Sequence, residues 1–293
     1  MTITAKVILD SISPDGVRLT TLQLRYPLFI HAECKTHRVL KIGTQEVEFL
    51  QEMSLMDDCN LSRNASSSRA IPVDRMIQDV LDDPAIPIHW GKNQPGMSAE
   101  EELDELERDQ AIRAWLSARN EAVSHARWLR NVGLHKQISN RVLAPFLHIN
   151  TLVTATEWEN FFNLRLHPSA QPEIQLLAQH MYGAMVQSNP TYLHHDEWHL
   201  PFSRDDEDMP LHIKKKVSCA RAARLSYLTH EGKVPSVEAD LALYDRLITS
   251  KPAHASPAEH QACPDVATKS GWESPHLHGN FRGWQQFRKV LGL

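Results

Sequence analysis

Thr36-His37-Arg38 opens the stretch that decides how this chain is read, and Ser62-Arg63-Asn64-Ala65-Ser66-Ser67-Ser68-Arg69 closes it. Between them lies a charged interruption, Lys41 to Asn60, KIGTQEVEFLQEMSLMDDCN. With the interruption removed, His-Arg, two residues and SRNASSSR form a compact cluster of arginines, hydroxyls and amides. Guanidinium forks and hydroxyls suit phosphate oxygens, and amides suit the edge of a flat heterocycle. Inserting roughly twenty residues into an exposed connection costs little, because each doubling of loop length adds only about 0.6 kcal/mol. The interruption is therefore expected to leave folding intact, and its Val47, Leu50, Ser54 and Leu55 predict a short amphipathic helix.

Upstream, Ala5 to Leu9 and Thr20 to Arg25 are β-branched and apolar, with Ser13-Pro14-Asp15-Gly16 between them as turn chemistry, which predicts a hairpin. Pro27 suits the first turn of a helix, and Leu28 to Leu40 continue without a breaker. His31, Lys35 and Arg38 then share a helical face, which without further information reads as a solvated one.

Downstream, Val73 to Leu81 predicts a helix, and Asp82 to Gly96 an irregular loop around His89-Trp90-Gly91-Lys92. Ser98 ahead of Glu100, Glu101 and Glu102 predicts a capped helix start. Asp109 to Val132 continues in helical register with Ile112, Leu116, Val123 and Leu129 as its stripe, closed by Gly133. Ile149 to Thr156 is strand-like, while Glu157 to Arg165 and Glu173 to Gln187 are helical, with Met181 and Met185 as core filler. Val217 to Tyr227 and Val237 to Thr249 are strand or helix, and the tail from Gly279 to Lys289 predicts a basic terminal helix. His194, His195, Glu197 and His199 share a polar loop, but Asp196 stands where a zinc-protease motif needs glutamate, so no metal site is assigned.

The chain has 293 residues, 31 basic and 36 acidic, and a formal net charge of -5. That balance gives no global attraction to nucleic acid or to an anionic membrane, so any anion is held by a local site. No apolar run approaches a membrane span and no signal peptide is evident, which predicts a cytoplasmic protein. Cys34, Cys59, Cys219 and Cys263 are scattered without a CxxC pair and read as reduced and structural. Without a solenoid repeat or low-complexity linker, residues 1–293 read as one domain with an insertion at 41–60.

Three blocks together resemble the flavin-dependent thymidylate synthases, the ThyX family, and more narrowly its divergent bacteriophage-type members. The family motif is RHRxxSxNExSxRY. On this chain Thr36-His37-Arg38 takes the RHR place, Ser62 and Asn64 the S and N, Ser67 the second S and Arg69 the following R. A second block, Asn160-Phe161-Phe162-Asn163-Leu164-Arg165 followed by Ala170-Gln171-Pro172-Glu173-Ile174, resembles NFxxLR and AQxEI. A third resembles the family's AARVSY and HETPFEH stretches, here Ala222-Ala223-Arg224-Leu225-Ser226-Tyr227 and His254-Ala255-Ser256-Pro257-Ala258-Glu259-His260. In the family these precede RHR, whereas here they follow it, which suggests a circular permutation. Gln285, Phe287 and Arg288 resemble the QxFR ahead of the family's His-Arg, so the tail could supply the arginine missing at Thr36. Thr36, Ala65, Ala70 and Ser169 depart from the family's Arg, Glu, Tyr and His.

The resemblance implies an α/β (α+β) fold with a largely antiparallel sheet packed with helices, assembled as a homotetramer. It implies FAD as cofactor, methylenetetrahydrofolate and NADPH as co-substrates, and a pyrimidine deoxynucleoside monophosphate as substrate. Ser67 and Arg69 would hold the nucleotide phosphate, and Arg165 would contact the base and stabilise charge developing on it. His37, Arg38, Asn160, Ser226, His254, Ser256 and Arg288 would face the flavin. The implied reaction moves a one-carbon unit to C5 of dUMP, giving dTMP, without a protein nucleophile. The alternatives are a 5-hydroxymethylase of dUMP or dCMP and, from another class, an inactive nucleotide-binding scaffold.

Overall fold

The computed structural model describes residues 3–31, 36–39, 51–54, 61–65, 71–96, 99–203, 208–225 and 233–293. The predicted hairpin is present as β1 (Thr4–Ile12) and β2 (Arg18–Pro27), paired antiparallel with a register shift between Val7 and Leu9. Its turn closes through Gly16 N–H donating to the Ser13 carbonyl at 2.9 Å, with Gly16 at φ 77°, where a side chain would be strained.

Pro27 ends β2 rather than starting a long helix. Only a 3-10 turn, Leu28–Ile30, follows, and β3 (Thr36–Val39) pairs antiparallel with β4 (Gln51–Ser54). The helix predicted over Leu28 to Leu40 is thus corrected. The β-branched ends of β3, Thr36 and Val39, suit a strand, and cross-strand partners replace the intrahelical ones. The same pairing corrects the helix predicted around Ser54, while Val47, Leu50 and Leu55 lie outside the described residues. β5 (Leu61–Ala65) carries Ser62 and Asn64 of the motif to the edge of the main sheet.

Helix α1 (Val73–Asp82) and the long α2 (Glu105–Asn131) follow, the latter ending at Gly133 with φ 83°. The start of α2 is corrected from the Ser98 region to Asp104, whose carboxylate accepts from Glu107 N–H while Glu107 reaches back to Asp104 N–H. Glu101 and Glu102 are taken up instead by Lys92 and His89, which closes the loop at a Gly91–Glu102 bridge.

β6 (His148–Ala155), α3 (Glu159–Arg165) and α4 (Pro172–Gln187) lie where predicted, and β7 (Thr191–Tyr192) adds a short parallel edge. The five-stranded sheet runs β5-β6-β2-β1-β7 and is antiparallel except at that edge. Alternation splits its residues between two faces. Leu22, Leu24, Tyr26, Ile149, Val153 and Ala155 pack with Ile174, Leu177, Met181 and Met185 of α4 in the principal core.

On the opposite face, Leu19 packs with Ala262, Phe281 and Trp284, and Leu152 with Ala222 and Leu225. Those partners come from the C-terminal part: α5 (Leu211–Arg224), α6 (Val237–Ile248), a 3-10 turn (Ser256–Glu259) and the paired strands β8 (Ala262–Pro264) and β11 (Trp284–Gln286). Between β8 and β11, β9 (Ala267–Thr268) and β10 (Gly271–Trp272) make a small ribbon. The predicted terminal helix is reduced to one turn, Phe287–Val290, because Trp284 to Gln286 are drawn into β11. Among the described residues no helix is long and apolar enough to cross a membrane.

Candidate active site

The second motif block is positioned by aromatic packing. Phe161 is buried in the principal core, and Phe162 stacks on Trp158 and meets Tyr182 edge-on at 5.3 Å. These contacts fix α3, with Asn160 half-buried near its start and Arg165 half-buried in its last turn. Arg165 follows Phe161 by four residues and so shares its helical face. Helix α3 lies against β3, which brings the backbone of His37 and Arg38 beside the second block. Ser67, Arg69 and Ser226 lie outside the described residues.

The third block packs against β5 and the end of β6. β5 pairs with β6, with Leu61 opposite Ala155, and the Ser256–Glu259 turn lies against β5. One residue beyond β6, Thr156 Oγ1 accepts from Arg282 N–H at 3.1 Å, and Arg282 approaches Glu157 at 3.5 Å. Ser256 and His254 are exposed on this turn and its approach. The Arg288 guanidinium is ion-paired with Glu259 inside the turn, and Phe287 N–H donates to the Gln261 carbonyl at 2.8 Å. Burial raises the Glu259 carboxyl above the usual range, against the pull of Arg288 and Lys289.

Beneath the turn lies a buried polar chain that sequence reasoning did not single out. His199 is hydrogen-bonded through Nδ1 to Ser11 Oγ and through Nε2 to Thr21 Oγ1, each at 2.8 Å. Thr21 Oγ1 meets Thr154 Oγ1 at 2.8 Å, and Thr154 Oγ1 meets His260 Nδ1 at 2.8 Å. Burial pushes His199 down to about 3, with His260 adding to the effect and Asp10 opposing it, and burial alone pushes His260 down to about 3. Both imidazoles are therefore neutral at physiological pH. His260 Nε2 is buried with no hydrogen-bond partner among the described residues. His199 was legible only as one histidine of a polar loop, because its partners are about 180 residues away in sequence.

No cysteine nucleophile emerges from the described thiols. Cys219 and Cys263 are buried, and burial pushes them up to about 12 and about 11. No cluster of histidine, cysteine and carboxylate suited to a metal occurs among the described residues. A separate cleft of about 400 Å³ opens at the other end of the second face, lined by Arg25, Ile71, Asp79, Asp83, His148 and Asn150 among others. Arg25 is ion-paired with Asp83 at 2.7 Å, so its charge is already answered.

A family model described as thymidylate synthase complementing protein matches residues 19–191. That span runs from Leu19 in β2 to Thr191, the first residue of β7, and holds both halves of the opening motif and the whole second block. Two crystal structures of a UMP/dUMP methylase, PolB, from Streptomyces cacaoi, with 5-Br UMP and 5-Br dUMP bound, are similar at a TM-score of 0.47 and 16% identity. Each alignment covers 64% of this chain and 89% or 90% of the other. No curated protein matches the chain.

Proposed function

The chain belongs to the thymidylate synthase complementing protein family, and from that premise we propose that it is a flavin-dependent enzyme transferring a one-carbon unit from methylenetetrahydrofolate to C5 of dUMP, giving dTMP. The observation that carries this reading is the family match over residues 19–191, which holds both halves of the opening motif and the whole second block. β3 lies beside α3, β5 lies beside the Ser256–Glu259 turn, and Arg282 ties the tail to the end of β6.

The residues fit a flavin on two counts. His260 holds a buried, unpartnered ring nitrogen at this turn, and a flavin offers polar ring atoms that can answer it. Ser256 and His254 add exposed polar side chains on the same turn. Bound FAD, reduced by NADPH, would supply the hydride that completes the methyl group. His37, Arg38, Asn160, Ser226, His254, Ser256 and Arg288 are proposed to hold it, and Glu259 restrains the Arg288 guanidinium by ion pairing.

Ser67 and Arg69 are proposed to bind the nucleotide phosphate, the arginine through its planar fork. Arg165 is the proposed catalytic residue, offering fixed positive charge where negative charge develops on the pyrimidine. The buried, raised thiols of Cys219 and Cys263 agree with a route that uses no cysteine nucleophile. We also propose a homotetramer of the bacteriophage type, acting in the cytoplasm, with residues 1–293 forming one catalytic domain interrupted at 41–60.

The test is a purified sample supplied with dUMP or dCMP, methylenetetrahydrofolate and NADPH. Flavin absorbance with a dUMP product heavier by a methyl group is expected, and mass separates it from a hydroxymethyl product. A flavin-loaded protein that forms neither product would refute both enzymatic readings.

A further inference from the structure

The buried chain Ser11–His199–Thr21–Thr154–His260 has a direction that can be deduced by counting protons. Each hydroxyl has one proton to donate, and each neutral imidazole has one N–H. Suppose Ser11 donates to His199 Nδ1. His199 Nε2–H then donates to Thr21, Thr21 to Thr154, and Thr154 to His260 Nδ1. Only one group is left over, the N–H at His260 Nε2. In the reverse direction two are left over, the Ser11 hydroxyl proton and the His260 Nε2 lone pair. Ser11 is buried and has no other acceptor among the described residues, so the first direction strands fewer polar groups.

The chain therefore fixes His260 as a donor through Nε2. His199 sits outside the family-matched span, yet it sets this polarity through Thr21 and Thr154, which lie inside it. Nε2 is closed off from solvent, so an acceptor reaches it with a displacement of the chain that covers it.

We infer that His260 is a further ligand-binding residue of this site, its Nε2–H donating to an acceptor atom of the bound flavin, and that His199 is the positioning residue that holds it in that tautomer. The inference rests on the flavin reading proposed above. It extends that reading to a residue at the end of the His254–His260 stretch and to one outside all three motif blocks.

His260→Asn separates a ligand contact from a structural role. Its amide oxygen can accept from Thr154 where Nδ1 did, but nothing stands at Nε2. The expected result is a folded apo-protein whose FAD dissociation constant is raised about ten-fold. His260→Gln, which places an amide N–H near Nε2, should recover part of the affinity. A folded His260→Asn protein that binds FAD as tightly as wild type overturns the inference. If His260→Asn does not fold, Thr154→Val and Thr154→Ser replace it. Valine removes the donor to His260 Nδ1 and serine keeps it, so only valine should weaken FAD binding and shift the visible flavin band. Equal behaviour of the valine variant and wild type is the contrary result. A wild-type protein that takes up no FAD overturns the flavin reading itself, an outcome distinct from wild-type binding that survives His260→Asn.

Discussion

Asp240 lies between two guanidiniums, Arg221 Nε at 2.9 Å and Arg224 Nη1 at 2.8 Å, with the Arg221 and Asp240 side chains 1% and 0% exposed. Such a buried pair contributes little net stability against apolar replacements, but removing one partner leaves a buried charge without its counter-ion. Asp240→Ala should therefore lower the urea-unfolding free energy by about 3–5 kcal/mol. A loss below about 1 kcal/mol would place the pair among ordinary surface bridges. The buried histidines give a second prediction. Unfolded, His199 and His260 titrate near 6.5, and folded they stay neutral down to about 3. The unfolded chain thus binds more protons between those values. Stability should fall as pH drops from about 6.5 toward 3, by up to about 1.4 kcal/mol per pH unit for each, and neither contributes above that range. Glu259, raised by burial, has the opposite sign. Urea midpoints measured across this range should decline in wild type and decline less steeply in His199→Gln, and equal slopes would contradict the assignment. Neither arrangement was legible in sequence, because burial and partner identity are tertiary properties, and only the resemblance drew attention to His254–His260.

Among the elements, those with local determinants were readable. The β1–β2 hairpin follows from β-branched, apolar runs on either side of Ser13-Pro14-Asp15-Gly16, and α2 and α4 follow from helical stripes, the first closed by Gly133. Thr36–Val39 was misread because its partner, Gln51–Ser54, lies within the interruption, and nothing local announces that pairing. The start of α2 was misplaced because two acidic clusters compete, and tertiary contacts decide between them. Glu101 and Glu102 are used by the loop, leaving Asp104 as cap. Asp104→Ala should cost about 1 kcal/mol, read from thermal unfolding, while Ser98→Ala should have no effect through capping of α2. A larger loss for Ser98→Ala would reverse that order. The loop itself depends on Gly91, where an added Cβ would lie 2.2 Å from Ala99 Cβ. Gly91→Ala must separate the two strands of the loop, with an expected loss of about 1–3 kcal/mol in thermal unfolding. An unchanged melting temperature would show that the loop closure contributes nothing to stability.

At the scale of the molecule, the sheet makes one part of the chain dependent on the other. The principal core, on the first face, is built almost wholly within residues 19–191, the family-matched span. The second face is not. Leu19 is covered by Ala262, Phe281 and Trp284, Leu152 by Ala222 and Leu225, and Thr21 and Thr154 are hydrogen-bonded to His199 and His260. The sequence hinted at this dependence only through the order of its blocks, since family-like stretches that normally lead the motif stand at residues 222–227 and 254–260. Spatially Ala222 and Leu225 pack on Leu152 of β6, and the Ser256–Glu259 turn and His260 come back to β5 and β6. A fragment ending at residue 191 would uncover Leu19 and Leu152, forfeiting about 3–6 kcal/mol for two buried leucines. It would also remove the His199 and His260 partners of Thr21 and Thr154, against a total stability of about 5–15 kcal/mol for a typical domain. Residues 1–191 alone should therefore show no cooperative thermal transition and should self-associate in size-exclusion chromatography. A monomeric fragment with a sharp melt would mean that the matched span is a domain in its own right. In that case the C-terminal part is an accessory to the site, and the proposal of one catalytic domain over residues 1–293 fails.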